Sequence, residues 1–252
     1  MKIMQRVAWM AVAIALLTIG VQVQASTKMD DRIEASARDT YVFKTYLKSD
    51  DVKVRSVNGV VTLTGTVSEE SHKSLAREAV VNLPGVTSVD NRLEVKGGRP
   101  AENSDAWLMM KVKASLLFHN SVSGLKTEVS DVKDGIVTLR GQAATQAEKD
   151  LTTEYAKDVE GVKDVRNEMT VGGAKTSNTV SQNVDDASIT AQVKMALLYH
   201  RSTSALNTSV TTSEGVVTLG GKAKSVAEKD LATTVVHDVN GVKSVKNLMT
   251  IE

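Results

Sequence analysis

The chain has 252 residues, 41% hydrophobic, 24% charged and 3% aromatic, with two prolines, no cysteine and a formal net charge of +1. This composition excludes collagen-like, Pro-rich, disulfide-stapled and low-complexity classes. Without cysteine there is no thiolate nucleophile and no Cys-ligated metal, and a near-neutral charge argues against nucleic acid as a partner.

Residues 1–25 read as a cleavable secretory signal. Lys2 and Arg6 form a positive start, Val7 to Val21 is apolar apart from Thr18 and Gly20, and Val23-Gln24-Ala25 fits signal-peptidase cleavage near Ala25. The apolar run is about 15 residues, short of the ~20 that span a bilayer. The expected product is a soluble periplasmic chain. Lacking a lipobox cysteine, it is not expected to be a lipoprotein. Losing Lys2 and Arg6 takes the net charge to −1.

The remainder is one module written three times. Gly59-Val60-Val61-Thr62-Leu63-Thr64-Gly65 recurs as Gly135 to Gly141 and as Gly215 to Gly221. A second signature, Gly85-Val86-Thr87-Ser88-Val89-Asp90-Asn91, recurs from Gly161 and from Gly241, each time 26 residues after the first. Residues 135–171 and 215–251 share 21 of 37 positions without a gap.

Each copy opens with a predicted helix. Its buried stripe is Leu108, Val112, Ser115, Leu116 and His119 in copy two, and Ile189, Val193, Ala196, Leu197 and His200 in copy three. Copy one looks trimmed in this helix or in the loop after it, with 17 residues from Val42 to Gly59 against 23 and 22 from Val112 and Val193. Asn58-Gly59, Asp134-Gly135 and Glu214-Gly215 then mark hairpin turns that need positive φ.

A second helix follows, with Ala227, Leu231, Val235 and Val239 at i, i+4, i+8 and i+12 in copy three. Copy one has Leu75, Ala79 and Leu83 there, and copy two has Ala147, Leu151, Tyr155 and Val159. Gly85, Gly161 and Gly241 are expected at its C′ position, before a last strand. The nine structural glycines are thus Gly59, Gly65, Gly85, Gly135, Gly141, Gly161, Gly215, Gly221 and Gly241.

The fold class is α+β: three tandem αββαβ domains of ~70 residues, each a three-stranded mixed sheet with two helices on one face. A domain of that size can fold alone, so neighbours need not share a core. The boundaries are 29–97, 104–172 and 184–252, with linkers 98–103 and 173–183, the second expected to be flexible.

The paired signatures, their fixed offset and the αββαβ order resemble the BON domain family, and the resemblance covers nearly all of the chain after the signal. With a signal and no lipobox, it looks most like the hyperosmotically inducible periplasmic group, which typically has two copies rather than three. The resemblance implies a non-enzymatic role in stress-linked envelope maintenance, with association with phospholipid or envelope proteins and chaperone-like activity. Three similar modules on flexible linkers also suit a chaperone or adaptor that binds client proteins through its open sheet faces.

No catalytic, metal or cofactor constellation stands out. His119 and His200 share a repeat position and read as helix-end histidines, while His72 and His237 read as solvated. Asp30-Asp31 and Asp185-Asp186 precede helices and read as caps, and Asp50-Asp51 lacks calcium-loop spacing. One feature is private to copy two: a second helical face of Trp107, Met110, Ala114 and Phe118, flanked by Lys111 and Lys113. Trp107, Met110, Lys111, Ala114 and Phe118 are the candidates for contact with a phospholipid membrane surface or a protein partner, or for packing between domains.

Overall fold

A computed structural model describes residues 27–98, 100–102, 104–122, 124–172, 184–203 and 208–252. The expected signal and the linker 173–183 lie outside the described residues. The first unit contains α1 (27–39), α2 (Tyr41–Thr45), β1 (Asp51–Val57), β2 (Val60–Val67), α3 (Glu70–Val81), β3 (Ser88–Asn91) and β4 (Glu94–Val95). The second contains α4 (Asp105–Phe118), β5 (Thr127–Lys133), β6 (Ile136–Ala143), α5 (Gln146–Lys157), β7 (Asp164–Asn167) and β8 (Thr170–Val171). The third contains α6 (Asp186–Tyr199), β9 (Thr208–Ser213), β10 (Val216–Ala223), α7 (Val226–His237), β11 (Ser244–Asn247) and β12 (Thr250–Ile251).

Each sheet has its hairpin antiparallel and its last strand parallel to the middle one, as in β1-β2-β3. The hairpin turns are as expected, with positive φ at both central residues: 52° and 78° at Asn58-Gly59, 53° and 84° at Asp134-Gly135, and 53° and 80° at Glu214-Gly215. Val61 and Leu63 are fully buried toward the helices, while Val57 and Val60, paired across the hairpin, are exposed on the outer face.

The third strand comes in two pieces, because its signature asparagine interrupts it. Asn91 points its amide at α3 and donates Nδ2–H to the Lys73 carbonyl at 2.9 Å, and its Oδ1 accepts from Leu93 N–H. Asn167 and Asn247 repeat this with the Lys149 and Lys229 carbonyls, and with Met169 and Met249 N–H. Leu93, Met169 and Met249 are thereby turned into the cores.

Three expectations need correction. Gly85 is not the C′ residue of α3: the helix ends with Asn82 as its C-cap, and Gly85 (φ 88°) follows Pro84 in a turn closed by Val86 N–H to the Leu83 carbonyl. Pro before a positive-φ glycine is the pattern of a type II turn. Gly161 and Gly241 occupy the same turn after α5 and α7.

The first helix of copy one is not trimmed, because Val42 is not the counterpart of Val112. Asp30 is the counterpart of Asp105 and Asp186, and it bonds the hairpin turn just as they do. The helix starts well before Val42 and breaks at Thr40, whose Oγ1 donates to the Ala37 carbonyl and accepts from Phe43 N–H. The rest restarts as the one-turn helix α2.

The units do share a core. Ala114 and Phe118 of α4, with Ala191, Met195 and Tyr199 of α6, belong to the cluster built around Ile33, Val61, Leu63 and Leu75 of the first unit.

The second glycine of the hairpin signature tests this geometry. At Gly65 φ is 114°, and a Cβ would lie 1.9 Å from the Asp51 carbonyl oxygen; at Gly141 the corresponding gap to Lys126 is 2.1 Å. Gly65→Ala is expected to cost at least about 1–3 kcal/mol through forced backbone strain. Chemical denaturation of the purified chain measures this, with Gly97→Ala, whose Cβ would meet nothing within 4 Å, as a milder reference.

Candidate interaction surface

Helix α4 carries two apolar faces. Leu108, Val112 and Leu116 enter the core of their own unit, which also holds Val137, Leu139 and Val159. The opposite face divides along its length. At the C-terminal end Ala114 and Phe118 are each 1% exposed, and the Phe118 ring meets Tyr46 edge-on at 5.6 Å. Tyr46 in turn meets Tyr41 at 5.7 Å. At the N-terminal end Trp107 and Met110 stay partly exposed.

Lys111 turns inward. Its ammonium donates to the Glu160 carbonyl at 3.2 Å and lies 4.2 Å above the Trp107 ring. Burial pushes its pKa down, opposed by the Glu160 carboxylate. A continuous exposed stripe over Trp107, Met110, Ala114 and Phe118 is therefore not what the fold presents. Its C-terminal half packs between units, and Lys113 lies 3.6 Å from Glu69 of the first unit.

The first unit docks chiefly on α6. Tyr41 N–H donates to Asp185 Oδ2 at 2.7 Å, Val42 N–H to Ser188 Oγ at 3.1 Å, and Tyr46 O–H to Gln192 Oε1 at 3.0 Å. Asp185 also caps α6 through Ser188 N–H. Lys194 reaches Glu78 at 2.8 Å. The free N–H groups at the start of α2 thus find acceptors in another unit, which satisfies donors that a one-turn helix leaves open.

The second and third units meet as near mirror copies. Isolated bridges join His119 to Val239 and Val159 to His200. Asn120 N–H donates to the Asp238 carbonyl and Arg201 N–H to the Asp158 carbonyl. His119 and His200 are C-caps of α4 and α6, and Asp158 and Asp238 are C-caps of α5 and α7. Each histidine faces the other unit's aspartate, at 3.2 Å for His119–Asp238 and 3.5 Å for His200–Asp158. Asp238 also accepts from the Tyr155 hydroxyl at 2.6 Å and from Ser121 Oγ–H, and His119 stacks on Tyr155 at 3.8 Å. Burial works to raise the Asp238 pKa, but these hydrogen bonds outweigh it and hold the carboxyl below its usual value. The expected helix-end position of both histidines stands; their carboxylate partners in a neighbouring unit had no signal in the sequence.

The acidic pairs divide their tasks. Asp185 is a cap as expected, whereas Asp30 grips the hairpin, its carboxylate accepting from Asn58 N–H, Gly59 N–H and Ser56 Oγ–H at 2.7–2.9 Å. Those bonds, led by Gly59 N–H, lower its pKa. Asp105 and Asp186 do the same for their hairpins. An acid 29 or 30 residues before each turn glycine was the readable sign of this clamp. His72 is not a solvated residue: its Nδ1 lies 2.6 Å from Asp50 Oδ2, with the side chain 14% exposed. Among the described residues no group of three or more His, Cys, Asp or Glu could hold a metal, and no helix is long and apolar enough to cross a membrane.

Three repeated units, each closed by the same hairpin glycines and signature asparagine, point to one domain type. A family model described as the BON domain matches residues 29–97, 104–173 and 185–252. The chain belongs to the BON domain family. It is 31% identical over 197 residues to osmotically-inducible protein Y of Escherichia coli (strain K12), covering 78% of this chain and 95% of that protein. It is 32% identical over 112 residues to the outer membrane lipoprotein DolP of Haemophilus influenzae, and 35% over 112 residues to a 21 kDa hemolysin of Actinobacillus pleuropneumoniae. Each of these two matches covers 44% of this chain and 56% of the relative.

Phe118 is the bulkiest side chain that α4 buries against the first BON domain. Phe118→Ala is expected to cost about 3–5 kcal/mol, the range for truncating a fully buried aromatic. Thermal denaturation followed by circular dichroism measures the loss, and Trp107→Ala, at a partly exposed site, should cost far less.

Proposed function

We propose that this chain is a non-enzymatic, periplasmic envelope-stress protein that associates weakly and reversibly with phospholipid surfaces through the N-terminal half of α4. The observation that carries this reading is the partly exposed pair Trp107 and Met110, on a helix whose other half is sealed inside the protein. An indole at a surface, with a cation over its ring, suits the boundary between headgroups and acyl chains. The contact is small, two side chains rather than a long stripe, so the affinity is weak. The likeness to osmotically-inducible protein Y and to an outer membrane lipoprotein supports an envelope setting and a link to osmotic stress.

A second reading, binding of client proteins, draws on the outer sheet faces. Helices cover one face of each sheet, and Val57 and Val60 stand 52% and 41% exposed on the other. Client binding would use this face on one joined body, because the first domain shares its core with α4 and α6.

The lead reading is tested by co-sedimenting residues 26–252 with anionic phospholipid vesicles at low salt. The expected result is a bound fraction that salt reduces, a blue shift of Trp107 emission (the one tryptophan of that chain) and loss of binding in Trp107→Ser. No association of the unsubstituted protein, or equal association of Trp107→Ser, refutes the lipid contact.

A further inference from the structure

The two histidines at the junction of the second and third BON domains occupy equivalent positions but opposite states. His119 Nδ1 faces the Asp238 carboxylate, which can only accept, so this nitrogen carries a proton. His200 Nδ1 instead accepts a hydrogen bond from Ser202 N–H at 3.3 Å, so this nitrogen carries none. The counterpart backbone donor beside His119, Ser121 N–H, goes to Asp238 Oδ1. The pseudo-symmetric junction therefore holds His200 as a neutral ring, with Nε2 toward Asp158.

We propose that His200 is a proton-sensitive latch: protonation at Nδ1 releases the third BON domain from the second. A proton on Nδ1 sets two donors, the ring N–H and Ser202 N–H, against each other inside a site where His200 is 8% exposed. Burial favours the neutral ring, and of the surrounding charges Asp158 opposes it while His119 and Arg201 favour it. Arg201 is fixed nearby, its guanidinium donating to the Lys157, Val159 and Val162 carbonyls, and His119 lies across the junction. Of the two facing carboxylates, Asp238 is committed to His119, Ser121 and Tyr155. Asp158 is half-exposed and 3.5 Å away, so water screens what it offers. Tyr155, on the same face, is held neutral by burial and by its bond to Asp238.

Burial lowers the His200 pKa, with Asp158 opposing and His119 and Arg201 adding to the decrease. For a base whose pKa is lowered in the joined state, the junction is fully held above the ordinary histidine range. It weakens as pH falls through that range toward the lowered value. Opening would bare the ends of α4 and α6, where Phe118 accepts from Asn240 N–H and His200 bridges Val159.

Small-angle scattering of residues 26–252 at about pH 7.5 and about pH 5 tests the latch across the histidine range. The radius of gyration is expected to rise at the lower pH. In His200→Asn, which keeps an acceptor near Nδ1 and cannot become charged, the rise is lost, while His119→Asn retains it. An unsubstituted chain of the same size at both pH values, or a His200→Asn chain that expands like it, overturns the proposal. If His200→Asn fails to fold, imidazole 1H–15N spectra of the unsubstituted protein decide. His200 must be the neutral Nε2–H form near pH 7.5 and titrate below an ordinary histidine, with a midpoint matching the expansion. A Nδ1–H tautomer or a raised midpoint refutes the latch.

Discussion

Helices α4 and α6 must each serve two cores at once, and the arrangement of the protein follows from that. An ordinary surface helix is apolar on one stripe; a helix apolar nearly all round has to be covered on both sides. Leu108, Val112 and Leu116 fill the second domain's core, and Ile189, Val193 and Leu197 fill the third's. The remaining faces, with Ala114 and Phe118 on one helix and Ala191, Met195 and Tyr199 on the other, are closed by the first domain. Three modules that look independent in sequence are therefore one body, joined through the helices that begin the second and third.

Within that body, symmetry and its violation have separate uses. The second and third domains meet through reciprocal helix ends, His119 with Asp238 and His200 with Asp158, as two copies of one surface would. The first domain has to choose between them. Its short helix α2 seats on Asp185, Ser188 and Gln192 of α6. The equivalent positions on α4 hold Ser104, Trp107 and Lys111, where a large indole and a lysine bonded to Glu160 fill the space. The aromatic residue that distinguishes the second domain thus also marks the side on which α2 does not sit.

The local architecture was legible because each element has its own short signal. Asn-Gly and Asp-Gly announced the hairpins, the i, i+4 stripe announced α3, α5 and α7, and repetition announced the module. Where one signal served two structural purposes, the reading slipped. A glycine after a helix fits both a C′ position and a turn three residues later, and Gly85 takes the second. Valine spacing placed the first helix too far along, because α1 breaks at Thr40 and α2 has a different task. The second apolar face of α4 was visible, but periodicity records only that a face is apolar and not what covers it. Contacts such as Tyr46 with Gln192, 146 residues apart, leave no local trace.

That separation gives the protein an order of assembly. The first domain leaves the ribosome before the other two, yet the acceptors for α2 and part of the cover for its core lie on α6, in the domain made last. Until residue 199 has arrived, Tyr46 and the apolar surface around it wait uncovered, in the condition that invites aggregation or capture by a holding chaperone. Closing a loop of this length also slows the final step relative to folding within each module. The chain is thus built so that its oldest segment is the last to become safe.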